Sequence, residues 1–326
     1  VTTPSTSHRL AKALVRTTGA LALSGTAGLA YGLWEKNQFK VRQETVPVLP
    51  AGYRDLTVLH ISDIHFIPGQ AKKKRWLAEL ADLSPDVVIN TGDNLSHPEA
   101  VPALLDALEP LMRFPGVFVP GSNCYFAPKL KNPLRYFKGP SSLDGAPPKD
   151  LELPWRDMHR GFEDAGWLNA TNATFTAEIA GQQFDFSGVD DPHLGYEKYA
   201  GWPAEGSPLE NDDAASPSAV RPRIALAHAP YQRVLNYFTE SGADMVLAGH
   251  THGGQVCVPG YGALVSNCDL PTSQARGLST WSAGTAATRR TIPLEVSAGI
   301  GTSRFAPIRV ACRPEAVLLR LTARAA

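Results

Sequence analysis

The sequence predicts an α/β layered fold, and three observations carry that prediction. Short apolar runs closed by polar turns recur at 56–63 ("LTVLHISD"), 86–93 ("DVVINTGD"), 116–123 ("GVFVPGSN"), 224–230 ("IALAHAP"), 244–252 ("DMVLAGHTH") and 294–301 ("LEVSAGIG"). Buried strands have that length and those boundaries. Between them, 72–83 places Trp76, Leu77, Leu80 and Leu83 on one helical face, and 101–112 does the same with Leu104, Leu105, Leu108 and Leu111. Strands alternating with helices argue for sheets covered on both faces.

Taken in chain order, the first 55 residues stand apart as an N-terminal segment and linker. His8, Arg9, Lys12 and Arg16 precede a charge-free run at 17–34, after which Glu35, Lys36, Lys40 and Arg42 restore charge. This is the layout of a signal peptide or signal anchor, and it predicts a membrane-associated chain, with an extracytoplasmic site favoured over a cytoplasmic one. The run is short for a bilayer helix and rich in Gly, Ala, Ser and Thr, so a helix packed on a soluble domain is the alternative. Basic residues are nearly as frequent after it as before it, which specifies orientation only weakly. Residues 56–326 read as one catalytic domain, with 138–154 and 203–222 as Pro-, Gly- and Ser-rich loops.

Composition narrows the function classes. A chain of 326 residues, 43% hydrophobic and 19% charged, can bury a substantial core. Its 31 basic and 31 acidic side chains cancel, which gives no electrostatic case for a nucleic-acid partner. The four cysteines, Cys124, Cys257, Cys268 and Cys312, form no CxxC pair, so a zinc ribbon and a dense disulfide framework are both excluded. Cys257 and Cys268 flank the turn 258–262; free buried thiols are the favoured reading and a disulfide the alternative.

In an open α/β sheet, ligands bind beyond the carboxyl ends of the strands, so polar residues just past the apolar runs are the informative ones. Asp63 and His65 follow the first run, Gly92 and Asp93 the second, Asn123 the third, His228 the fourth, and His250 and His252 the fifth. Each alone is an ordinary turn residue or core histidine. Together they are two carboxylates, one amide and four imidazoles at successive strand ends. That set is too large for one ion and suits two divalent metal ions, manganese, iron or zinc. A carboxylate can bridge two such ions ~3.5 to 4 Å apart, where a bridging hydroxide attacks phosphorus.

These motifs, "SDIH", "TGDN", "GSNC", "LAHAP" and "AGHTHGGQ", resemble in order those of the calcineurin-like metallophosphoesterases, in particular the bacterial membrane-associated or exported branch. The resemblance covers roughly 56–322. It implies a four-layer αββα sandwich of two mixed β-sheets flanked by helices. It further implies that Asp63, His65 and His252 hold one metal, that Asn123, His228 and His250 hold the other, and that Asp93 bridges them. His250 would also help neutralise charge at the reacting phosphorus.

Cys124 departs from the family pattern, which has His beside the scissile phosphate. Losing a positioned general acid matters least when the leaving group is a weak base. The departure therefore predicts a preference for phosphodiester or pyrophosphate bonds over alkyl monoesters. For Cys124 itself, a reactive thiolate, a metal ligand and a small buried residue are open alternatives, and His97 in "GDNLSHP" is a candidate replacement acid. The run 125–138 mixes Tyr125, Phe126, Tyr136 and Phe137 with Lys129, Lys131, Arg135 and Lys138, and 72–75 adds four basic residues. Such a rim suits a membrane surface presenting a lipid-linked phosphate. The alternatives are a soluble nucleotide phosphodiesterase and a non-catalytic scaffold on the same fold.

Overall fold

The computed structural model describes residues 25–128, 151–204 and 220–324. Two six-stranded mixed sheets face each other, with order β1-β14-β2-β3-β4-β5 in the first and β12-β13-β9-β8-β7-β6 in the second. In the first sheet, β2 (Leu56–Ile61), β3 (Val87–Asn90), β4 (Gly116–Phe118) and β5 (Leu168–Asn169) run parallel. Beside them β14 (Glu315–Ala323) is antiparallel to β2 and parallel to the edge strand β1 (Lys40–Leu49). In the second, β7 (Gln182–Gly188), β8 (Arg223–Leu226), β9 (Met245–Ala248) and β13 (Arg290–Val296) run parallel. The antiparallel strands β6 (Ala173–Ile179) and β12 (Gly277–Ala283) close its edges.

Side-chain alternation sorts each strand into two cores. Val58, Val87, Ile89 and Val117 point between the sheets to meet Phe184, Phe186, Ile224, Met245 and Leu247. Leu59, Ile61, Val88 and Phe118 point outward to helices α2 (Ala71–Glu79), α3 (Ala100–Leu108) and α5 (Trp155–Asp164) through Leu77, Leu104, Leu108 and Phe162. On the far side, Val234, Leu235 and Phe238 of α6 (Gln232–Ser241) cover Ala225, Val246 and Leu294. The result is the four-layer αββα sandwich. The helix expected at 72–83 is α-helical to Glu79 and then tightens into a 3₁₀ turn, Leu80–Leu83.

Two features correct the sequence reading. The strand β1 lies inside the stretch set apart as a linker, so the layered domain begins by residue 40 rather than 56. Buried charge fixes it there: Lys40 pairs with Glu315 at 3.0 Å, and Arg42 bonds Glu315 at 3.2 Å and also Glu295 of the other sheet. Among the basic residues of 72–75, Lys73 is buried and donates from Nζ to the Ile64 carbonyl at 2.7 Å, so it contributes nothing to a basic rim. Helix α1, described over 25–35, packs Gly32 against Ile308 and Val310. Among the described residues no helix is long and apolar enough to cross a membrane.

Removing Arg42 leaves two buried carboxylates without their shared cation, and Arg42→Met is expected to cost about 3 to 5 kcal/mol in denaturant unfolding. Burial lowers Lys73 to about 7. The unfolded chain therefore holds that proton more tightly, and this group makes native stability rise between about pH 7 and the ordinary lysine range. Lys73→Met should flatten the rise. Denaturant midpoints at pH 7 and pH 9 check it: the native chain gains on the variant at the higher pH.

Candidate metal centre

The parallel strands of both sheets deliver their carboxyl ends to one place, and the loops beyond them are laddered together. The Asp63 N–H donates to the Gly92 carbonyl at 2.8 Å, that of His65 to Asp93 at 2.9 Å, and that of Leu95 to Asn123 at 3.1 Å. From the second sheet, Gly249 N–H donates to the His228 carbonyl at 2.9 Å. The two halves meet where the His250 N–H reaches the Asp63 carboxylate, 3.0 Å from Oδ2. This crowding forces backbone strain. Asp63, His65, Asp93, His250 and His252 all have positive φ, between 45° and 69°, a conformation that costs a non-glycine residue roughly 1 kcal/mol or more.

Six of the seven side chains singled out from the sequence, those of Asp63, His65, Asp93, His228, His250 and His252, meet here, and Asn123 reaches the centre through its backbone N–H. One carboxylate or ring-nitrogen atom each from Asp63, His65 and His252 lies within 4.8 Å of the others, and so does one each from Asp63, Asp93 and His228. Asp93 spans the centre, with Oδ2 3.6 Å from His65 Nε2 and Oδ1 3.4 Å from His228 Nε2. His250 Nδ1 is 3.2 Å from His228 Nε2. The Asn123 N–H donates to Asp93 Oδ1 at 2.6 Å, while its side-chain amide nitrogen donates to the Phe126 carbonyl at 2.8 Å.

Hydrogen-bond partners assign the ring protons. His228 donates from Nδ1 to the Thr91 carbonyl at 2.7 Å, and His65 Nδ1 lies 3.1 Å from Ser96 Oγ. Both therefore aim Nε2 inward. Arg309 lies 3.3 Å from His252 Nδ1, and His252 Nε2 faces His65 Nε2 at 3.2 Å. Burial opposes charge on His228, but the Asp93 carboxylate outweighs it and lifts the ring to about 10. Asp93 is correspondingly held well below the usual carboxylate range by His228, against the cost of its burial. Burial lowers His65 to about 4 and raises Asp63 to about 6. His65 with His252, and His228 with His250, thus turn ring nitrogens toward each other across gaps of 3.2 Å. Buried nitrogens and carboxylates facing one another across such gaps fit a pair of divalent cations, and the absence of thiolate suits manganese, iron or zinc.

The surroundings leave no slack. A Cβ at Gly249 would overlap Ser62 Oγ and lie 2.5 Å from Asp63 Oδ2. Arg309 is wholly buried and donates to the carbonyls of His252, Ala298, Gly299, Gly301 and Cys312, which fixes the segment carrying His252.

Cys124 lies in the core under the first sheet. Its sulfur accepts from Gly121 N at 3.5 Å and Asn94 Nδ2 at 3.6 Å, and burial pushes the thiol up to about 12. That environment is the opposite of what a reactive thiolate needs. His97 Nδ1 accepts from the Glu99 N–H at 3.2 Å, at the start of α3. Tyr125, expected on a rim, is buried and donates to Asp190 Oδ1 at 2.9 Å; residues 129–138 of that run lie outside the described residues. All four cysteines are free, and Cys257 and Cys268 are not joined.

Two residues near the centre escaped the sequence reading. Asp191 is wholly buried, its Oδ2 has no hydrogen-bond partner among the described residues, and burial raises it to about 7. The His193 ring packs on His250 with centroids 4.7 Å apart, and its Nδ1 lies 3.1 Å from the Tyr231 hydroxyl. Both follow β7, whose "FDFSG" was not read as a strand. The signal used elsewhere, polar residues just past an apolar run, would have found them.

Comparison with known proteins adds four findings. Residues 56–254 match the family model described as calcineurin-like phosphoesterase. A "transmembrane protein with metallophosphoesterase domain" from Danio rerio is 29% identical over 72% of this chain and 50% of its own length. This chain thus spans about half the length of such vertebrate relatives. The uncharacterized metallophosphoesterase YkuE of Bacillus subtilis is 24% identical over 93% of this chain and 94% of its own. Among solved structures, TT1561 of Thermus thermophilus is 13% identical over 76% of this chain and 91% of its own, with a TM-score of 0.38.

Metal should stabilise the native chain by mass action, by about 2.7 kcal/mol at a hundredfold excess over Kd. Manganese titrated into metal-stripped protein is expected to raise Tm by several degrees. In Gly249→Ala, whose methyl displaces Ser62 and Asp63, the affinity read from the same melts should fall at least about tenfold.

Proposed function

The chain belongs to the calcineurin-like phosphoesterase family, and we propose that it is a two-metal hydrolase of phosphodiester or pyrophosphate bonds, acting on a lipid-linked substrate at a membrane. The observation that carries the two-metal reading is the convergence of Asp63, His65, Asp93, His228, His250 and His252 on two adjoining gaps between ring nitrogens. In this reading Asp63, His65 and His252 would hold one ion and Asn123, His228 and His250 the other, with Asp93 common to both sets. When bound, two such ions clamp phosphoryl oxygens as Lewis acids and lower the pKa of water.

The chain's own residues supply orientation. Ser62 Oγ at 2.6 Å and the His250 N–H hold the Asp63 carboxylate, while the Asn123 N–H holds Asp93. The Thr91 carbonyl keeps the His228 Nε2 lone pair turned inward once its proton leaves, and the Asn267 carbonyl, 3.2 Å from His250 Nε2, does the same for His250 Nδ1. These are preorganised donors and acceptors, which need not reorganise during reaction. His250 would also help neutralise the charge that develops at the phosphorus, as a catalytic residue.

Bond preference follows from Cys124. A neutral thiol packed in the core does not protonate a departing alkoxide, so substrates whose leaving group is already a weak base are favoured. The membrane assignment is supported by the apolar run at 17–34 and by relatives named as transmembrane proteins. Manganese is the ion to try first, with iron and zinc as alternatives.

The test is elemental analysis of purified protein, followed by hydrolysis of phosphomonoesters, diesters, nucleotide pyrophosphates and phospholipids with manganese present. Diesters or pyrophosphates should be turned over with higher kcat/KM than alkyl monoesters; the reverse order overturns the preference. Absence of both bound metal and hydrolysis would favour a scaffold. Asp93→Asn is expected to lower kcat/KM at least about a thousandfold, roughly 4 kcal/mol of transition-state stabilisation.

A further inference from the structure

Three segments lie side by side next to the metal centre. Helix α1 places Gly32 against Ile308 and Val310, and the Gly32 carbonyl accepts from the Arg309 N–H at 3.1 Å. On the other flank of that segment, the hairpin of β10 (Cys257–Val258) and β11 (Gly262–Ala263) is attached by Cys257 N–H to the Val310 carbonyl at 2.8 Å. Gln255 Nε2 donates to the Ala306 carbonyl at 2.8 Å.

Single exposed apolar residues are unremarkable on any protein. Here nine of the thirteen large apolar side chains exposed among the described residues fall on these three segments. Leu29 and Trp34 come from α1, Val258, Tyr261 and Leu264 from the hairpin, and Phe305 from the loop; Trp34 is 58% and Tyr261 75% exposed. The exposed charges nearby have one sign. No charged residue occurs at 253–268, Glu35 and Arg309 are buried, and Arg304 and Arg313 are exposed. Lys36 follows the helix.

We propose that α1, the loop around Phe305 and the β10–β11 hairpin form a single face that seats on an anionic lipid bilayer. Three observations favour a bilayer as the occupant. The chain preceding α1 is uncharged from Thr17 onward, so it leads an apolar stretch directly into this face. Tyr and Trp at the face are the residues that settle at headgroup depth, and the exposed Arg304 and Arg313, with Lys36, match anionic lipid. The hairpin begins at Cys257, five residues after His252, and Cys257 Sγ donates to the Gly253 carbonyl at 3.1 Å, so the seated face lies next to the metal centre. A substrate with its acyl chains in the bilayer can then present its phosphate without leaving it. The face deepens the lipid-linked reading above and rests on that reading only for what is hydrolysed.

Because the four native cysteines are buried and free, a label on Tyr261→Cys goes to one site. The control is Glu240→Cys, exposed near the end of α6 at the opposite end of the strands. Each full-length protein carries an environment-sensitive nitrobenzoxadiazole label and is mixed with vesicles of phosphatidylcholine and phosphatidylglycerol. The label at 261 should brighten several-fold, shift to the blue and be quenched by nitroxide placed high on the acyl chains, while that at 240 stays unchanged. Equal responses at both sites, or none at 261, overturn the proposal. So does a response at 261 that grows with protein concentration in the absence of vesicles, which would assign the face to a second copy of the chain. No turnover is read, so failure of the hydrolase reading leaves a different signature.

Discussion

Everything at the centre of this molecule depends on how closely two sheets can bring their strand ends together. The contact that sets the distance is the Asp63 carboxylate, reached across the gap by the His250 N–H. Around it no side chain is tolerated: a Cβ on Gly249, Gly299 or Gly301 would collide with Asp63, Ile64 or His65. At Gly299 the positive φ of 73° adds a conformational reason to the steric one. With the sheets closed to this degree, the turns leaving β2, β3 and β9 have no room for ordinary backbone, and Asp63, His65, Asp93, His250 and His252 take the left-handed conformation. Strain at the centre is offset by two cores of interdigitated aliphatic and aromatic side chains, one between the sheets and one under the first sheet's helices.

What the sequence disclosed, and what it hid, follows from this arrangement. Strands buried on both faces are continuous apolar runs, so β2, β3, β8 and β9 stood out, and the polar residues just beyond them named the centre. Strands that carry charge did not stand out. In β1 every residue before Val46 except Val41 is polar or charged, and Arg42 works as a buried counterion to Glu295 and Glu315 rather than as surface. In β7, Asp185 interrupts the pattern while pairing with Arg221 at 2.8 Å. Asp191 and His193 were hidden with the strand that delivers them. Lys73 misled in the opposite direction: a lysine in a basic cluster reads as part of a surface rim, whereas it caps the Ile64 carbonyl between Asp63 and His65.

The N-terminal part of the chain is tied to the chemistry by a short mechanical path. Glu35, at the end of α1, accepts from the backbone N–H groups of Ala311 and Cys312. Two residues earlier, Arg309 holds the carbonyls on either side of His252 in one guanidinium fork. Planar, permanently charged arginine suits such a role, since it satisfies several buried carbonyls at once without titrating. A helix that at first reading belonged to an anchor is therefore two hydrogen-bonded steps from a ligand.

The two histidine gaps bear on which metal the protein would carry. The Thr91 and Asn267 carbonyls and Ser96 Oγ hold three of the rings from their outer nitrogens, so position rather than a tailored cage defines the donor set. Nitrogen and oxygen donors of this kind rank first-row divalent ions by the general affinity series rather than by a bespoke preference. Which ion would be resident is then set by supply in the compartment that holds the chain, so its address, as much as its shape, writes its metal content.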